Sequence, residues 1–167
     1  MVIGLLIGRF QPFHNGHLEA IKKISKEVDE LIIGIGSSQH KNTFLNPFSL
    51  DERVEMIENN LIKTEIDNYT IFPIPDFDNH KEWLKKVKTL VPKFDIVFSG
   101  NPLTLKLFKK EGYKIKKIKL LEDINATKIR ELIVQDKNWQ SLVPEETSKF
   151  LKKIKGMERI KKLFEKE

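Results

Sequence analysis

The chain has 167 residues, 40% of them hydrophobic and 32% charged, with a formal net charge of +6, which is length enough for one domain with a sizeable core. No apolar run approaches the ~20 residues of a membrane span. The first residues lack a secretory signal, and the absence of cysteine excludes disulfides, a thiol nucleophile and zinc–thiolate centres. That composition is compatible with a reducing cytoplasm, the expected location.

Apolar runs of β type recur at Ile3–Ile7, Leu31–Ile35, Tyr69–Ile74, Ile96–Phe98 and Ile115–Ile118. Helical patterns separate them, near 16–27, 49–62, 80–90 and 102–111. Ser49-x-x-Glu52 and Asn79-x-x-Glu82 both read as capping boxes, and Asn101-Pro102 as an N-cap followed by proline at the first helical position. The polar, aperiodic stretch from Ser37 to Pro47 reads as a long loop with freedom to move. Further helices are expected after Asn125, after Pro144 and after Gly156. Phe150, Ile154, Met157, Ile160 and Phe164 form an apolar stripe with lysines opposite, which reads as packed on the domain rather than as a membrane- or nucleic-acid-binding face.

This alternation predicts an α/β fold, a Rossmann-like doubly wound parallel sheet of about five strands with helices on both faces and a helical C-terminal end. Residues 1–167 are read as one domain, with a core over 1–120 and a motif-bearing helix plus helical extension over 121–167. In such sheets ligands bind beyond the carboxyl ends of the strands. Gly8, Gly36, Pro75 and Ser99 all stand at those ends.

The densest chemistry lies in Gly8-Arg9-Phe10-Gln11-Pro12-Phe13-His14-Asn15-Gly16-His17, a strand-to-helix turn. Gly8 allows close backbone approach and Pro12 stiffens the crossing. A helix starting near Asn15-Gly16 offers backbone N–H groups and a positive dipole end to phosphate. His14 and His17, three apart, both face that phosphate if they share a first turn. The bland alternative is a pair of capping or surface histidines. Zinc is disfavoured, because His-x-x-His supplies two ligands and no nearby acidic residue completes the set. Arginine is confined to Arg9, Arg53, Arg130 and Arg159, and its fork-shaped guanidinium suits phosphate. The many lysines between Lys106 and Lys166 read as solvated surface.

The pattern Gly-x-Phe-x-Pro-x-His-x-Gly-His resembles the signature of the nucleotidylyltransferase superfamily. More narrowly, Gly8 to His14, Gly34 to Gln39, Asn46-Pro47-Phe48 with Glu52-Arg53, and Ser99-Gly100-Asn101-Pro102 resemble the archaeal-type nicotinamide-nucleotide (NMN) adenylyltransferases, with similar spacing from about residue 3 to 163.

That resemblance implies an enzyme joining NMN to ATP to give NAD and pyrophosphate. It implies that His14, His17, Arg9 and Arg130 act at the reacting phosphates. ATP would be held by Gly8, Arg9, Phe10, His14, Gly16, His17, Ser99, Gly100, Asn101, Asn125, Thr127 and Arg130. The NMN pocket would comprise Gln39, Phe48, Arg53, Asn79, His80 and Trp83, with Trp83 stacking on the nicotinamide ring. Asn125-Ala126-Thr127-Lys128-Ile129-Arg130 resembles the family's second motif, with Asn125 in place of the usual serine. His80 stands where the family has asparagine, so either Asn79 shifts into that role or His80 substitutes. A core role for Trp83 and a simple capping role for Asn101 and Asn125 are the structural alternatives.

No acidic cluster resembles a dedicated metal cage, so Mg2+ is expected to arrive with ATP, held by phosphate oxygens and water. The resemblance also implies a homo-oligomer, often a hexamer in the family. No nucleic-acid or membrane partner is expected. The rival readings are a sister nucleotidylyltransferase acting on phosphopantetheine or FMN, and a non-catalytic basic nucleic-acid-binding module. The latter requires a clustered Lys/Arg patch with interleaved aromatics.

Overall fold

The five apolar runs form β1 (Ile3–Gly8), β2 (Glu30–Ile35), β3 (Tyr69–Pro73), β4 (Ile96–Ser99) and β5 (Lys114–Lys117) in the computed structural model, which describes residues 1–119 and 124–167. Seven α-helices occur among the described residues: α1 (Asn15–Glu27), α2 (Leu50–Lys63), α3 (His80–Leu90), α4 (Pro102–Lys110), α5 (Ala126–Val134), α6 (Glu145–Lys153) and α7 (Gly156–Lys166). A 3-10 turn at Gln140–Leu142, which the periodicity did not announce, precedes α6. The residues group into two compact units. One comprises Met1–Arg9, Ala20–Ser38 and Ile66–Leu120, and the other Phe10–Glu19, Gln39–Glu65 and Leu121–Glu167. The expected boundary between 120 and 121 lies outside the described residues.

In the first unit every strand pair is parallel and the order is β3-β2-β1-β4-β5. The order reverses between β1 and β4, the position at which open α/β sheets bind ligands. The central strands are buried on both faces, as parallel strands flanked by helices must be. On one face Leu5 and Ile32 join Leu84 and Val87 of α3 and Phe108 of α4 in a buried cluster. The other face carries Gly4, where an added Cβ would meet Phe98 at 2.8 Å and Val28, just past α1, at 3.1 Å. Helices thus cover both faces. Gly34 is required by packing: a Cβ there would lie 2.4 Å from Ile74 Cδ1. The strand at one edge, β5, alternates a half-buried Ile115 with exposed lysines, a pattern that discourages further strand pairing. Ile74, expected inside the third strand, falls just past its end yet still donates to Ile35 O at 2.8 Å.

The second unit is helical. Ser49 caps α2, its side chain accepting from Glu52 N while Glu52 Oε1 accepts from Ser49 N, the full capping box that the sequence predicts. At α3, in the first unit, only the forward half forms, Glu82 N donating to Asn79 Oδ1 at 2.8 Å. Asn60 of α2 donates to Thr147 of α6 at 2.9 Å, a buried pair in which each side chain satisfies the other. Arg159 of α7 grips both oxygens of Glu52 at 2.6 and 2.8 Å. Burial alone would raise the Glu52 carboxyl, but the Arg159 and Ser49 hydrogen bonds outweigh it and hold the group below its usual range. Phe150 and Ile160 of the C-terminal stripe are buried, whereas Phe164 is half exposed.

Candidate functional site

Within the first unit, a cavity of about 730 Å³ opens at the carboxyl ends of the strands, a volume typical of small-molecule sites. Gly8 and Arg9 after β1, Gly36 after β2 and Ser99 at the end of β4 line it. Asn79, His80, Trp83 and Asn101, named from the sequence, line it as well. Gly100 lies beside these residues in the chain and is not among the lining residues. Asn101 works as a cap: its Oδ1 accepts from Leu103 N at 2.9 Å, and its own N–H donates to Ser99 Oγ at 3.0 Å. Asn79 likewise spends its Oδ1 on the start of α3. His80, the first residue of that helix, is exposed. Trp83 is placed where either of its two readings can hold. One side of the indole packs on the buried cluster, edge-on to Phe108 at 6.0 Å, while the residue also lines the cavity.

Among the lining residues that sequence reasoning left without a role are Ser37 and Asp76. Ser37 is buried, at φ +48°, and donates its hydroxyl to both oxygens of Asp76 at 3.1 and 2.9 Å. A left-handed serine is uncommon and such strain concentrates at working sites. The pairing spans 39 positions, so no local pattern announces it. The signal on hand was Asp76's place beyond the end of a strand.

In the second unit the His-x-x-His turn is tightly determined. The His14 ring acts as the N-cap of α1, its Nδ1 accepting from Gly16 N at 3.1 Å and His17 N at 3.3 Å. His17 Nδ1 in turn accepts from His14 N at 3.1 Å. The two rings stack with centroids 3.5 Å apart, and Phe10 and Phe13 pack against His17 at 4.7 and 5.5 Å. The helix start was expected to present its N–H groups to phosphate. Instead those of Gly16 and His17 are engaged by His14, and the donors that remain for a ligand are the rings' other nitrogens. With both Nδ1 atoms accepting, the proton of each neutral ring sits on Nε2. Burial pushes His14 down from its ordinary 6.5 to about 4. Burial, and then the neighbouring His14, pushes His17 well below its ordinary value. Both rings are neutral hydrogen-bond donors near pH 7.

Asn125 caps α5, accepting from Lys128 N at 2.8 Å. Arg130, on the same helix, is buried, with Nη1 donating to Gln11 O at 2.8 Å and Nη2 to Thr127 Oγ1 at 3.3 Å. Its guanidinium lies over the Phe44 ring, 5.5 Å from the centroid. Gln11, not named from the sequence, ties this turn to the residue after Pro47: its amide donates to Phe48 O at 3.1 Å and accepts from Phe48 N at 2.9 Å. Phe48 and Arg53 are fully enclosed. Phe48 lies under the Arg159 guanidinium at 5.7 Å, and Arg53 donates to Ser49 O and His40 O at 3.3 and 3.4 Å. Gln39 is exposed. The stretch from Ser37 to Pro47, expected as a long loop, contains no helix or strand, and within it Thr43 N donates to Asn46 O and Asn46 N to Thr43 Oγ1.

Among the described residues no group of three or more His, Asp or Glu side chains is placed to hold a metal ion, and no helix is long and apolar enough to cross a membrane.

A family model described as cytidylyltransferase-like matches residues 5–139. The nicotinamide-nucleotide adenylyltransferase of Methanococcus maripaludis (strain C6) is 48% identical over 164 residues, covering 97% of this chain and 95% of that protein. That of Thermococcus sibiricus is 44% identical, covering 96% and 88%. Among solved structures, a bifunctional NMN adenylyltransferase/ADP ribose pyrophosphatase from Francisella tularensis, complexed with AMP and a manganese ion, superposes with a TM-score of 0.80 at 24% identity. The match covers 97% of this chain and 51% of that one, so the chain spans about half the length of that protein, and the likeness is one of fold.

Proposed function

We infer that this chain, which belongs to the cytidylyltransferase-like family and within it to the nicotinamide-nucleotide adenylyltransferases, transfers the adenylyl group of ATP to nicotinamide mononucleotide, giving NAD and pyrophosphate. The observation that carries this reading is the 48% identity to a named adenylyltransferase along nearly the whole length of both chains. The family match at 5–139 takes in segments of both compact units, which supports treating 1–167 as a single nucleotidylyltransferase domain.

The reaction is a direct displacement. An oxygen of the NMN 5′-phosphate forms a bond to the α-phosphorus of ATP, the bond from that phosphorus to the β-phosphate bridging oxygen breaks, and pyrophosphate leaves with the electron pair. A phosphate monoester is already ionised near neutral pH, so no strong general base is needed. The enzyme's contribution is position and charge.

His14 and His17 donate Nε2–H to the triphosphate where negative charge develops. Their fixed Nδ1 bonds support that role, since a pre-oriented donor costs no reorganisation during the step. Arg9 is assigned to the phosphates of both substrates, and Arg130 with Thr127 to the β- and γ-phosphates. Ser99, Gly100 and Asn101 are assigned to the adenosine, and Trp83, with Asn79 or His80, to the nicotinamide. Asn79 has its oxygen committed to capping, which favours its amide nitrogen, or the His80 ring, as the polar contact. Phe48 and Arg53, both fully enclosed, are assigned to the mononucleotide by the family resemblance alone. Mg2+ accompanies ATP as part of the substrate, bound by phosphate oxygens and water. A homo-oligomer, hexameric in form, and a cytoplasmic location complete the reading; the family resemblance supports the first and the cysteine-free sequence the second.

ATP labelled at its α-phosphorus tests the chemistry. With NMN and Mg2+ the label is expected in NAD, with none on acid-quenched protein. Label retained on the protein would contradict direct attack.

A further inference from the structure

We propose that Gln11 is a positioning residue for adenylyl transfer, its buried amide holding the arginine assigned to the ATP phosphates and the segment assigned to the mononucleotide in one fixed register. The proposal rests on the adenylyl-transfer reading above. Three stretches of the second unit meet at this residue: the histidine turn, the segment leading into α2, and α5. Gln11 is 1% exposed. Its side-chain oxygen accepts from Phe48 N at 2.9 Å, its side-chain nitrogen donates to Phe48 O at 3.1 Å, and its main-chain carbonyl accepts from Arg130 Nη1 at 2.8 Å.

A side-chain amide presents a donor and an acceptor side by side, so Gln11 bonds both backbone groups of Phe48 as a neighbouring strand would. The segment it grips is bonded throughout. Pro47 O accepts from Arg159 Nη1 at 3.2 Å, Ser49 N donates to Glu52 Oε1 at 2.9 Å, and Ser49 O accepts from Arg53 N at 3.0 Å. Every backbone polar group from Pro47 to Ser49 is thereby engaged, and Gln11 supplies the two bonds that come from the histidine turn. On its other side, the carbonyl used by Arg130 belongs to the backbone and is present whatever the side chain. The amide decides where that carbonyl sits. Three residues on is His14, whose ring donor is assigned to the triphosphate.

Direct displacement gives such a register its value. The attacking oxygen, the α-phosphorus and the leaving oxygen must lie in line, and a misplacement on the order of 1 Å costs about 100-fold. A clamp that sets two groups of side chains relative to one another acts on the reacting arrangement more than on the affinity for either substrate, so its loss belongs in kcat.

The test is the steady-state kinetics of NAD formation at about pH 6.5 and about pH 9 in the wild type, Gln11→Met and Gln11→Glu, with the folded fraction of each followed by urea unfolding. Gln11→Met keeps the side chain's length and removes both bonds to Phe48. Its kcat is expected to fall by at least about tenfold, with KM for ATP and for NMN each within about threefold of the wild type. Gln11→Glu restores the clamp conditionally. Protonated, its carboxyl donates to Phe48 O and accepts from Phe48 N as the amide does; ionised, it can only accept. Burial favours the neutral acid, so Gln11→Glu should approach the wild-type kcat at about pH 6.5 and fall at least about fivefold behind it by about pH 9.

The charged and titratable groups around this junction are Arg130, Arg53, Arg159, Glu52, His14 and His17. Burial takes His14 to about 4 and His17 well below its ordinary value. Against its own burial, the Arg159 bond holds Glu52 below its usual range, and that same bond holds Arg159 above its own. Arginines keep their charge throughout. A difference from the wild type that develops between the two pH values therefore belongs to the introduced carboxyl. Folded Gln11→Met with kcat within about twofold of the wild type overturns the proposal, as does a loss carried by KM alone or a Gln11→Glu as slow as Gln11→Met at about pH 6.5. Should neither variant fold, Gln11 is a support of the fold and the positioning role falls. No NAD formed from NMN and ATP by the wild type overturns the adenylyl-transfer reading instead.

Discussion

At the scale of single residues, His14 and His17 are held as a reciprocal pair. Each ring nitrogen that accepts a backbone N–H is one that cannot be protonated without losing a bond. His17→Ala removes an Nε2 donor assigned to charge that grows during the reaction, so kcat should fall by roughly 100-fold while KM for NMN changes by less than about threefold. Steady-state kinetics on the folded variant measure this, and an unchanged kcat would contradict the role.

The same pair sets a pH dependence of stability. His14 titrates at about 4 in the folded protein and near 6.5 ordinarily, so between those values the unfolded chain binds more protons. Stability from this group is complete above about pH 6.5 and is lost as pH falls toward 4, up to a limit of about 3 kcal/mol. Urea unfolding at about pH 7.5 and about pH 5 should show that loss in the wild type and a smaller one in His14→Asn. Equal losses in both would contradict it.

At the scale of elements, helix starts hold several of the residues proposed for the site. Asn101 opens α4 beside the cavity, Asn79 opens α3, and Asn125 opens α5 through its bond to Lys128 N. Asn125 stands where the family's motif has serine, and its geometry is that of a cap. Asn125→Ala should cost about 1 kcal/mol in denaturant unfolding, whereas Asn125→Ser should be within about 0.5 kcal/mol of the wild type. The serine variant should leave KM for ATP unchanged. Two variants of equal stability would show that the cap contributes little.

These caps were legible because they are local: a side chain reaching a backbone N–H two or three residues on leaves its mark in the spacing. The strands and their carboxyl ends were legible for a similar reason, since short branched runs alternating with helical stripes admit few arrangements. Contacts between distant segments were not. Ser37 with Asp76, Gln11 with Phe48, and Arg159 with Glu52 join residues 39, 37 and 107 positions apart. Nor did the spacing reveal that His14 would consume the N–H groups of its own helix, because a histidine before a helix fits capping and ligand binding equally well.

At the scale of the whole molecule, a net charge of +6 favours approach of the anionic substrates without selecting among them. On the proposed reading, selection belongs to the cavity, where Trp83 and the strand-end backbone are the groups assigned to separate NMN from other phosphate acceptors. Fold and phosphate chemistry alone would serve phosphopantetheine or FMN as well. The decisive assay is pyrophosphate release from ATP and Mg2+, run in parallel with NMN, FMN and phosphopantetheine, with the nucleotide product identified. Release with NMN, matched mole for mole by NAD and absent with the other two, is the predicted result. Release with FMN or phosphopantetheine but not with NMN would contradict it.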